Sequence, residues 1–238
     1  MKSRAIQIKE LDEFVKNEMY ALLSQNFDGV EWDVFISDLL NKNWVILIED
    51  NSANLIGFST IDCYSTIFQN EKIDVIFSGD TIMARGAWNT FSLFRTWIKT
   101  VKTISSSLSG DRLFWLLIVS GFRTYRFLPV FWETFSPNYR KVTSTWEANL
   151  MKHLAQQRFG SDFDECKGIV RFPKPHRLNE DLSEIPDGRL LDPHVAHFIK
   201  LNPDYKNGDE LVCLAELNDE NLTPAGIRML QQKTQFVG

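Results

Sequence analysis

The sequence has few cysteines, no long apolar run and no excess of positive charge. Its three cysteines, Cys63, Cys166 and Cys213, are odd in number and widely spaced, so neither a disulfide framework nor a zinc site is indicated. No segment approaches the roughly 18 apolar residues of a spanning helix, and the N-terminal residues lack the apolar stretch of a signal peptide. We therefore expect a cytoplasmic protein without stable membrane insertion.

Two further absences concern charge and metal ligands. The 26 Lys and Arg and the 31 Asp and Glu give a formal net charge of -5 and are mixed along the chain, so nucleic acid is not an expected partner. Asp192, His194 and His197 invite a metal interpretation, but Pro193 lies among them and no further ligand flanks them. We expect no metal.

Familiar catalytic motifs are also missing. The sequence contains no Gly-x-Ser-x-Gly elbow, which argues against a Ser-His-Asp hydrolase. It also contains no Gly-x-x-x-x-Gly-Lys phosphate loop. The function must therefore be sought in the order of the secondary-structure elements and in less specific residue patterns.

What the sequence does have is 44% hydrophobic residues, enough for one large domain over residues 1–238. Apolar spacing typical of helices alternates with short β-branched runs. The predicted helices cover about residues 10–25, 30–40, 88–104, 124–135, 147–159, 195–201 and 223–232. The predicted strands cover about residues 5–8, 44–48, 55–62, 73–77, 113–119 and 210–217, and the fourth extends to residue 83 if Gly79 marks a bulge.

The order of these elements predicts a mixed α/β sheet with a helical crossover. A hairpin that feeds a third strand and then a helix start marked by Gly86 resembles the GCN5-related N-acetyltransferase (GNAT) superfamily over residues 5–135. The resemblance implies an α/β (α+β) fold with a mostly antiparallel central sheet flanked by helices. A C-terminal elaboration over about residues 145–238 would add a late strand at the sheet edge.

The resemblance also implies a place for the acyl donor. In that superfamily a turn patterned Arg/Gln-x-x-Gly-x-Gly/Ala holds the coenzyme A pyrophosphate through backbone N–H groups at a helix start. Residues 83–88 keep only the central glycine of this pattern, with Met83 and Trp88 at the divergent ends. This divergence resembles the N-acyl amino acid synthases and acyl-homoserine lactone synthases, which use long-chain acyl carriers.

The donor-binding residues implied by this resemblance are Ala84, Arg85, Gly86 and Ala87. Arg85 would meet a phosphate of coenzyme A or of the phosphopantetheine of a carrier protein. The alternative is that Gly86 merely starts a helix and that Arg85 is a solvated surface charge.

The segment Ser78–Thr81 provides the acceptor side in the same resemblance. Asp80 would hold the ammonium of an amine acceptor or take its proton, and Ser78, Thr81 and Trp88 would contact the substrate. The alternative for Asp80 is a turn or bulge aspartate that accepts hydrogen bonds from its own backbone.

Two arginines and a tyrosine follow the fifth predicted strand. The resemblance implies that Tyr125 protonates the leaving thiolate, although it lies closer to the helix start than the superfamily tyrosine usually does. Arg123 and Arg126 would form an anion-binding edge for the cofactor at the helix N-terminus, or they are ordinary solvated arginines.

The resemblance therefore implies an N-acyltransferase. It would move an acyl group from acyl-CoA or an acyl carrier protein to a small-molecule amine by direct attack, with the acyl thioester as co-substrate and no metal. The alternative is a non-catalytic GNAT-like module that binds an acyl chain, a metabolite or a protein partner.

Overall fold

The computed structural model describes residues 2–87 and 92–231, so Trp88, predicted to bind substrate, lies outside the described residues. Within these ranges the chain forms an eight-stranded mixed sheet with helices on both faces, and a separate two-stranded pair. The predicted fold class, a mainly antiparallel sheet flanked by helices, is confirmed.

The first half of the chain supplies two helices and most of one side of the sheet. Its elements are β1 (Lys2–Gln7), α1 (Glu13–Asn26), β2 (Phe27–Asp28), α2 (Trp32–Leu40), β3 (Trp44–Glu49), β4 (Leu55–Phe68) and β5 (Glu71–Met83). The helices and longer strands agree with the hydrophobic spacing to within a few residues at most ends, but β4 runs six residues further than predicted because Cys63–Phe68 pair with β5.

The second half supplies the remaining helices and strands. They are α3 (Ser92–Ser105), β6 (Arg112–Val119), α4 (Phe122–Tyr125), α5 (Phe127–Phe131), α6 (Thr145–Phe159), β7 (Phe163–Asp164), β8 (Ile169–Val170), β9 (Arg177–Leu178), α7 (Glu180–Ser183), α8 (Asp187–Leu190), α9 (Pro193–Leu201), β10 (Glu210–Glu216) and α10 (Pro224–Gln231). The two-residue strands were not predicted, because they are too short to show a period.

The helix predicted at residues 124–135, in which Pro129 was expected to cause a kink or an end, is not continuous. The structure has two short helices there, α4 and α5, joined by Arg126 and ending at Phe131. Pro129 has no N–H to donate to the carbonyl of residue 125, so one continuous helix would lose a hydrogen bond at this point. The break makes Pro129 the third residue of α5, where an N–H group would have no acceptor within the helix.

The late strand β10 was expected at the sheet edge, but it lies inside the sheet. The strand order is β1-β3-β4-β5-β6-β10-β8-β7, with β10 antiparallel to both β6 and β8. A buried strand such as β6 needs a neighbour on each side for its backbone hydrogen bonds, and β5 and β10 provide them. The proposed division into a core at 5–135 and a C-terminal elaboration stays a prediction.

The sheet divides where β5 and β6 stop pairing. These two strands form the parallel pair of the sheet, and their pairing ends at Ser78 and Leu117. Beyond this point β5 stays paired with β4 as far as Met83, whereas β6 stays paired with β10 as far as Val119. We call the resulting space between β5 and β6 the gap; the strand edges that face it are not paired with each other.

A β-bulge lies at the start of the gap. The β4–β5 register shifts between Ser59 and Ile61, which places Gly79 and Asp80 opposite the single residue Thr60. A bulge bends its strand and redirects a side chain. The predicted extension of the strand through Gly79 to residue 83 is therefore confirmed.

Different helices cover the two faces of the sheet. Ile76, Trp115 and Leu117 pack against α3, α4 and α5 on one face, which we call the α3 face. Phe77 and Leu116 pack against α6 on the other, which we call the α6 face, and α1 and α2 cover the neighbouring strands there. The gap thus opens toward both faces.

Helix α6 begins with a capping box. The Ser144 hydroxyl accepts from the Glu147 N–H at 3.2 Å, and the Glu147 carboxylate accepts from the Ser144 N–H at 3.0 Å. Two N–H groups that the helix leaves unpaired are satisfied in this way.

We expect Ser144→Ala to lower the free energy of unfolding by about 1 kcal/mol, because it removes the capping oxygen. Urea unfolding of the purified variant measures this change. Ser144→Asp keeps an oxygen at the cap and should stay close to wild type; an equal loss in both variants would contradict the assignment.

Candidate active site

A cavity of about 780 Å³ lies on the α6 face and extends into the gap. Its apolar wall includes Phe35, Phe77, Phe159 and Phe172. Its charged lining residues are Asp38, Lys42, Asp62, Asp80, Arg123, Arg158, Lys174 and Glu210. A large concave site with a few converging charged groups is typical of a small-molecule site.

Asp80 faces this cavity because of the bulge in β5. Its side chain is partly exposed, and its carboxylate has no hydrogen-bond or ion-pair partner among the described residues. Burial raises the pKa of Asp80, the nearby Asp38 carboxylate raises it further, and Lys42 opposes the shift. Asp80 is therefore a better proton acceptor than an ordinary surface aspartate.

Glu210, the first residue of β10, lines the same cavity. Burial raises the pKa of Glu210 to about 8, with further increases from the charges of Asp80 and Asp38. No hydrogen bond or salt bridge of its carboxylate is formed within residues 2–87 and 92–231. Because the charges of Asp80 and Asp38 oppose the ionisation of Glu210 and no cation is paired with it among the described residues, a positively charged ligand would offset this cost.

Lys42 and Asp38 form an ion pair beside the bulge. The Lys42 ammonium donates to the Asp38 carboxylate at 2.5 Å, and the Lys42 side chain is 1% exposed. A Cβ atom added at Gly79 would lie 2.9 Å from Lys42 Cε and 2.7 Å from Thr60 Oγ1. The glycine therefore allows Lys42 to approach the β5 backbone.

Asp62 and Arg158 form a second ion pair in the cavity wall. The Arg158 guanidinium donates to Asp62 at 2.7 Å and lies 3.7 Å from the centroid of the Phe77 ring. The stacked guanidinium and its carboxylate neutralise each other. Asp80 and Glu210 are consequently the lining carboxyl groups that keep no cation of their own among the described residues.

The turn after β5 is partly engaged in contacts. Arg85 forms a salt bridge with Asp181 at 2.8 Å. The Ala84 N–H donates to the Ile56 carbonyl, and the Ala87 N–H donates to the Ala84 carbonyl.

Two N–H groups of this turn remain available. Gly86 has φ +83°, a left-handed conformation that favours glycine. The N–H groups of Arg85 and Gly86 have no partner within the described ranges. The turn thus presents two amides.

The two predicted anion-binding arginines differ in position. Arg123 lines the cavity, donates to the Leu182 carbonyl and stacks 4.7 Å from the Phe122 ring centroid; burial lowers its pKa. Arg126 instead forms a 3.0 Å salt bridge with Asp192 and does not line the cavity. This placement does not support the predicted role of Arg126.

Tyr125 is buried in the core rather than exposed in the gap. Its side chain is 0% exposed, and its hydroxyl donates to the Pro137 carbonyl at 2.8 Å. Burial raises its pKa further above the ordinary value. A hydroxyl already donating to a backbone carbonyl is poorly placed to protonate a leaving thiolate, so we do not retain the predicted catalytic role of Tyr125.

Ser78 and Thr81 line a second, smaller pocket of about 30 Å³ on the α3 face. The Ser78 hydroxyl accepts from the Nε1–H groups of Trp97 and Trp115, both at 2.9 Å. Thr81 Oγ1 lies 2.9 Å from Ser59 Oγ and also borders the large cavity. The gap therefore brings together Ser78, Asp80 and Thr81 from the predicted acceptor segment.

Several site residues were missed by the sequence analysis. Asp38 lies in α2 and Lys42 two residues after its end, Asp62 lies in β4, Arg158 in α6 and Glu210 in β10. The i, i+4 spacing of Asp38 and Lys42 indicates an ion pair, but no local pattern indicates that it faces a cavity. The position of Glu210, a carboxylate at the start of an apolar strand, was the other sequence feature that could have indicated a site residue.

Two kinds of feature are not found in the described part of the chain. No cluster of three His, Cys, Asp or Glu side chains within it is arranged to hold a metal ion. No helix within it combines the length and the apolar character needed to cross a bilayer.

Comparison with known proteins gives structural similarity at low sequence identity. No family model matches the chain, and no curated protein matches it. A probable N-acyltransferase from Enterococcus faecalis V583 is similar with TM-score 0.41 and 13% identity over 57% of this chain and 33% of that chain. This chain therefore spans about a third of that protein's length.

Two other similar structures are acetyltransferases. A GNAT-family N-acetyltransferase from Escherichia coli in complex with CoA has TM-score 0.39 and 12% identity over 53% of this chain and 68% of that chain. An aminoglycoside 6'-acetyltransferase type Ii has TM-score 0.40 and 11% identity over 60% of this chain and 90% of that chain. GNAT proteins, the superfamily that the sequence resembles, are thus among the similar structures.

The raised pKa of Glu210 predicts how stability depends on pH. Its folded-state pKa, about 8, lies above the ordinary value of 4.5, so the protonated group favours the folded state and ionisation opposes it. The free energy of unfolding should fall as the pH rises between these two values.

Glu210→Gln cannot ionise at this position. We therefore expect the melting temperature of the variant, measured relative to wild type, to be higher at pH 8 than at pH 5. The relative gain should be about 2–4 °C or more, corresponding to about 1 kcal/mol. Differential scanning calorimetry at both values measures it. Glu220→Gln, at an exposed position, is the control, and its melting temperature should differ from that of wild type by the same amount at both pH values. If the difference for Glu210→Gln is also the same at both pH values, the assignment is contradicted.

Proposed function

We propose that this chain is an N-acyltransferase that moves an acyl group from a thioester to an amine by direct attack. The observation that best supports the proposal is the gap beyond Ser78 and Leu117, which has an apolar pocket on the α3 face and a charged cavity on the α6 face. A donor and an acceptor entering from opposite faces would meet there.

The gap suits a donor with an extended, amide-bearing arm. The pantetheine arm of coenzyme A, or of an acyl carrier protein, can pair with open strand edges in the way that an added strand does. Strand N–H groups at this edge would donate to the thioester oxygen, where negative charge develops. In this proposal the free amides of Arg85 and Gly86, together with Arg123, hold the phosphate groups.

The cavity on the α6 face suits a cationic amine. Asp80 and Glu210 line it without a paired cation among the described residues, so a bound ammonium group would stabilise the charged forms of both carboxyl groups. Asp80, with its raised pKa, then takes the ammonium proton. The free amine nitrogen attacks the thioester carbon, the new C–N bond forms and the C–S bond breaks. The nitrogen then loses its second proton to solvent to give the amide, and the leaving thiolate takes a proton from solvent.

A second candidate function is the non-catalytic binding module. The salt bridge of Arg85 with Asp181 favours it, because it occupies the cation of the turn that would otherwise meet the donor phosphate. This module would bind an acyl chain, a metabolite or a protein partner in the same cavity without transferring a group.

We expect Asp80→Asn to lower turnover about 10²- to 10⁴-fold, the usual contribution of a positioned general base, while acetyl-CoA binding changes little. Release of coenzyme A from acetyl-CoA with a panel of primary amines, followed by chromatography, measures turnover. Calorimetric titration measures binding. Asp219→Asn, an exposed carboxylate paired with Lys102, is the control and should keep full turnover.

The same experiment separates the two candidate functions. Full turnover by Asp80→Asn would remove Asp80 from the mechanism. Thioester binding by wild type without transfer to any amine would favour the binding module. If wild type binds neither acyl-CoA nor an acylated carrier protein, the proposal is wrong.

A further inference from the structure

Three of the four lysines and arginines that line the large cavity are held in salt bridges. These pairs are Lys42–Asp38 at 2.5 Å, Arg158–Asp62 at 2.7 Å and Lys174–Glu31 at 2.9 Å. The fourth, Arg123, donates to the Leu182 carbonyl and belongs to the proposed donor site. A negatively charged ligand would therefore have to displace existing partners in order to bind in this cavity.

The lining groups that lack a partner are hydrogen-bond acceptors. The carboxyl groups of Asp80 and Glu210 have no hydrogen bond or ion pair among the described residues. Asn26 also lines the cavity and is 3% exposed, and its Oδ1 atom has no partner in the part of the chain that the structure describes. Because buried acceptors without donors are costly, a ligand rich in N–H groups and positive charge would satisfy this lining.

Asp80 and Glu210 lie on opposite sides of β6. Asp80 is two residues beyond Ser78 on β5, which places it level with Val119 in the register of the parallel pair. Glu210 precedes Leu211, which pairs with Val119 from the β10 side. The two residues are therefore at nearly the same height in the sheet and two strands apart, which separates their backbones by roughly 10 Å.

The cavity surface between these two carboxyl groups has an apolar character. Ile118 of β6 and Ser120, which follows the strand, line the cavity there. Phe77, Phe159 and Phe172 add a row of edge-to-face rings to the wall, with centroids 5.9 and 6.0 Å apart. Methylene groups can lie against such a surface, whereas a charge placed on it would lose its hydration without gaining a partner.

We infer that this cavity takes a ligand with two ammonium groups, one beside Asp80 and the other beside Glu210. The inference rests on the proposed function and adds the acceptor class to it, a diamine that is acylated at the nitrogen beside Asp80 while the second ammonium stays charged. An extended chain advances about 1.2 Å per bond, so a spacer of about four to six carbons places the nitrogens roughly 6–9 Å apart, within the separation of the two residues.

The protonation of Glu210 gives this inference a signature that does not depend on turnover. Burial and the charges of Asp80 and Asp38 raise the pKa of Glu210 to about 8, so its carboxyl group is mostly protonated near pH 7. An ammonium beside it favours the charged form. Binding of a diamine should therefore release a proton, which a monoamine held at Asp80 does not require.

The test is calorimetric titration of the purified protein with α,ω-diaminopentane, pentylamine and ω-aminopentanol. The last two share the five-carbon chain but carry a hydrogen atom or a hydroxyl in place of the second ammonium. Wild type should bind the diamine about tenfold or more tightly than either, the effect of one hydrogen bond between charged groups. Titrations near pH 7 in buffers of different ionisation enthalpy should show release of about one proton with the diamine.

Glu210→Gln keeps the size of the side chain and removes its charge. The variant should bind the diamine within about twofold of pentylamine and should release no proton. Glu220→Gln removes the same charge at an exposed position outside the cavity, so it is the matched control and should keep the wild-type preference. Glu210→Asp retains a carboxyl group and should keep part of the preference. Circular dichroism checks the fold of each variant.

The outcomes separate this inference from the proposed function. Equal affinity of wild type for the diamine and pentylamine, or an unchanged preference in Glu210→Gln, would overturn the inference, and acyl transfer to monoamines would leave the proposed function standing. Selective binding of the diamine without acyl transfer from any thioester would support the inference and overturn the proposed function in favour of a binding module.

Discussion

The parallel pairing of β5 and β6 ends at Ser78 and Leu117, and the rest of the site depends on this. Each strand has a second neighbour that satisfies its other edge, β4 for β5 and β10 for β6, so the sheet can divide without breaking either half. The bulge at Gly79 and Asp80 bends β5 at the same point. The division creates the gap, turns Asp80 toward the cavity and leaves two strand edges for a ligand.

The charges around the gap are arranged by the same division. Lys42 reaches the bulge because Gly79 lacks a Cβ atom, and it is paired with Asp38 rather than with Asp80. Glu210 is the first residue of β10, which pairs with β6 and runs antiparallel to it, away from the gap. The two carboxyl groups on opposite sides of the division are therefore the ones without a counter-ion, which is what a site for an amine requires.

The sequence predicted the local parts of this arrangement and not the parts that come together in space. Hydrophobic spacing predicted the hairpin and Gly79 indicated the bulge, because each depends on neighbours within a few residues. Asp80 was named as a candidate base from the family resemblance. Lys42 and Glu210 were missed since they come from distant elements that only the folded sheet brings to Asp80. The burial of Tyr125 was not predicted, because its hydroxyl donates to the Pro137 carbonyl, a contact that local spacing does not show.

The central claim is that a thioester donor lies in the gap between β5 and β6, and a crystal structure of the protein with coenzyme A tests it most directly. The account predicts the pantetheine arm alongside the β5 edge beyond Ser78, with the thiol next to Gly79 and Asp80 and the phosphates near Arg85 and Gly86. Coenzyme A bound elsewhere on the protein, with the gap left empty, would contradict it.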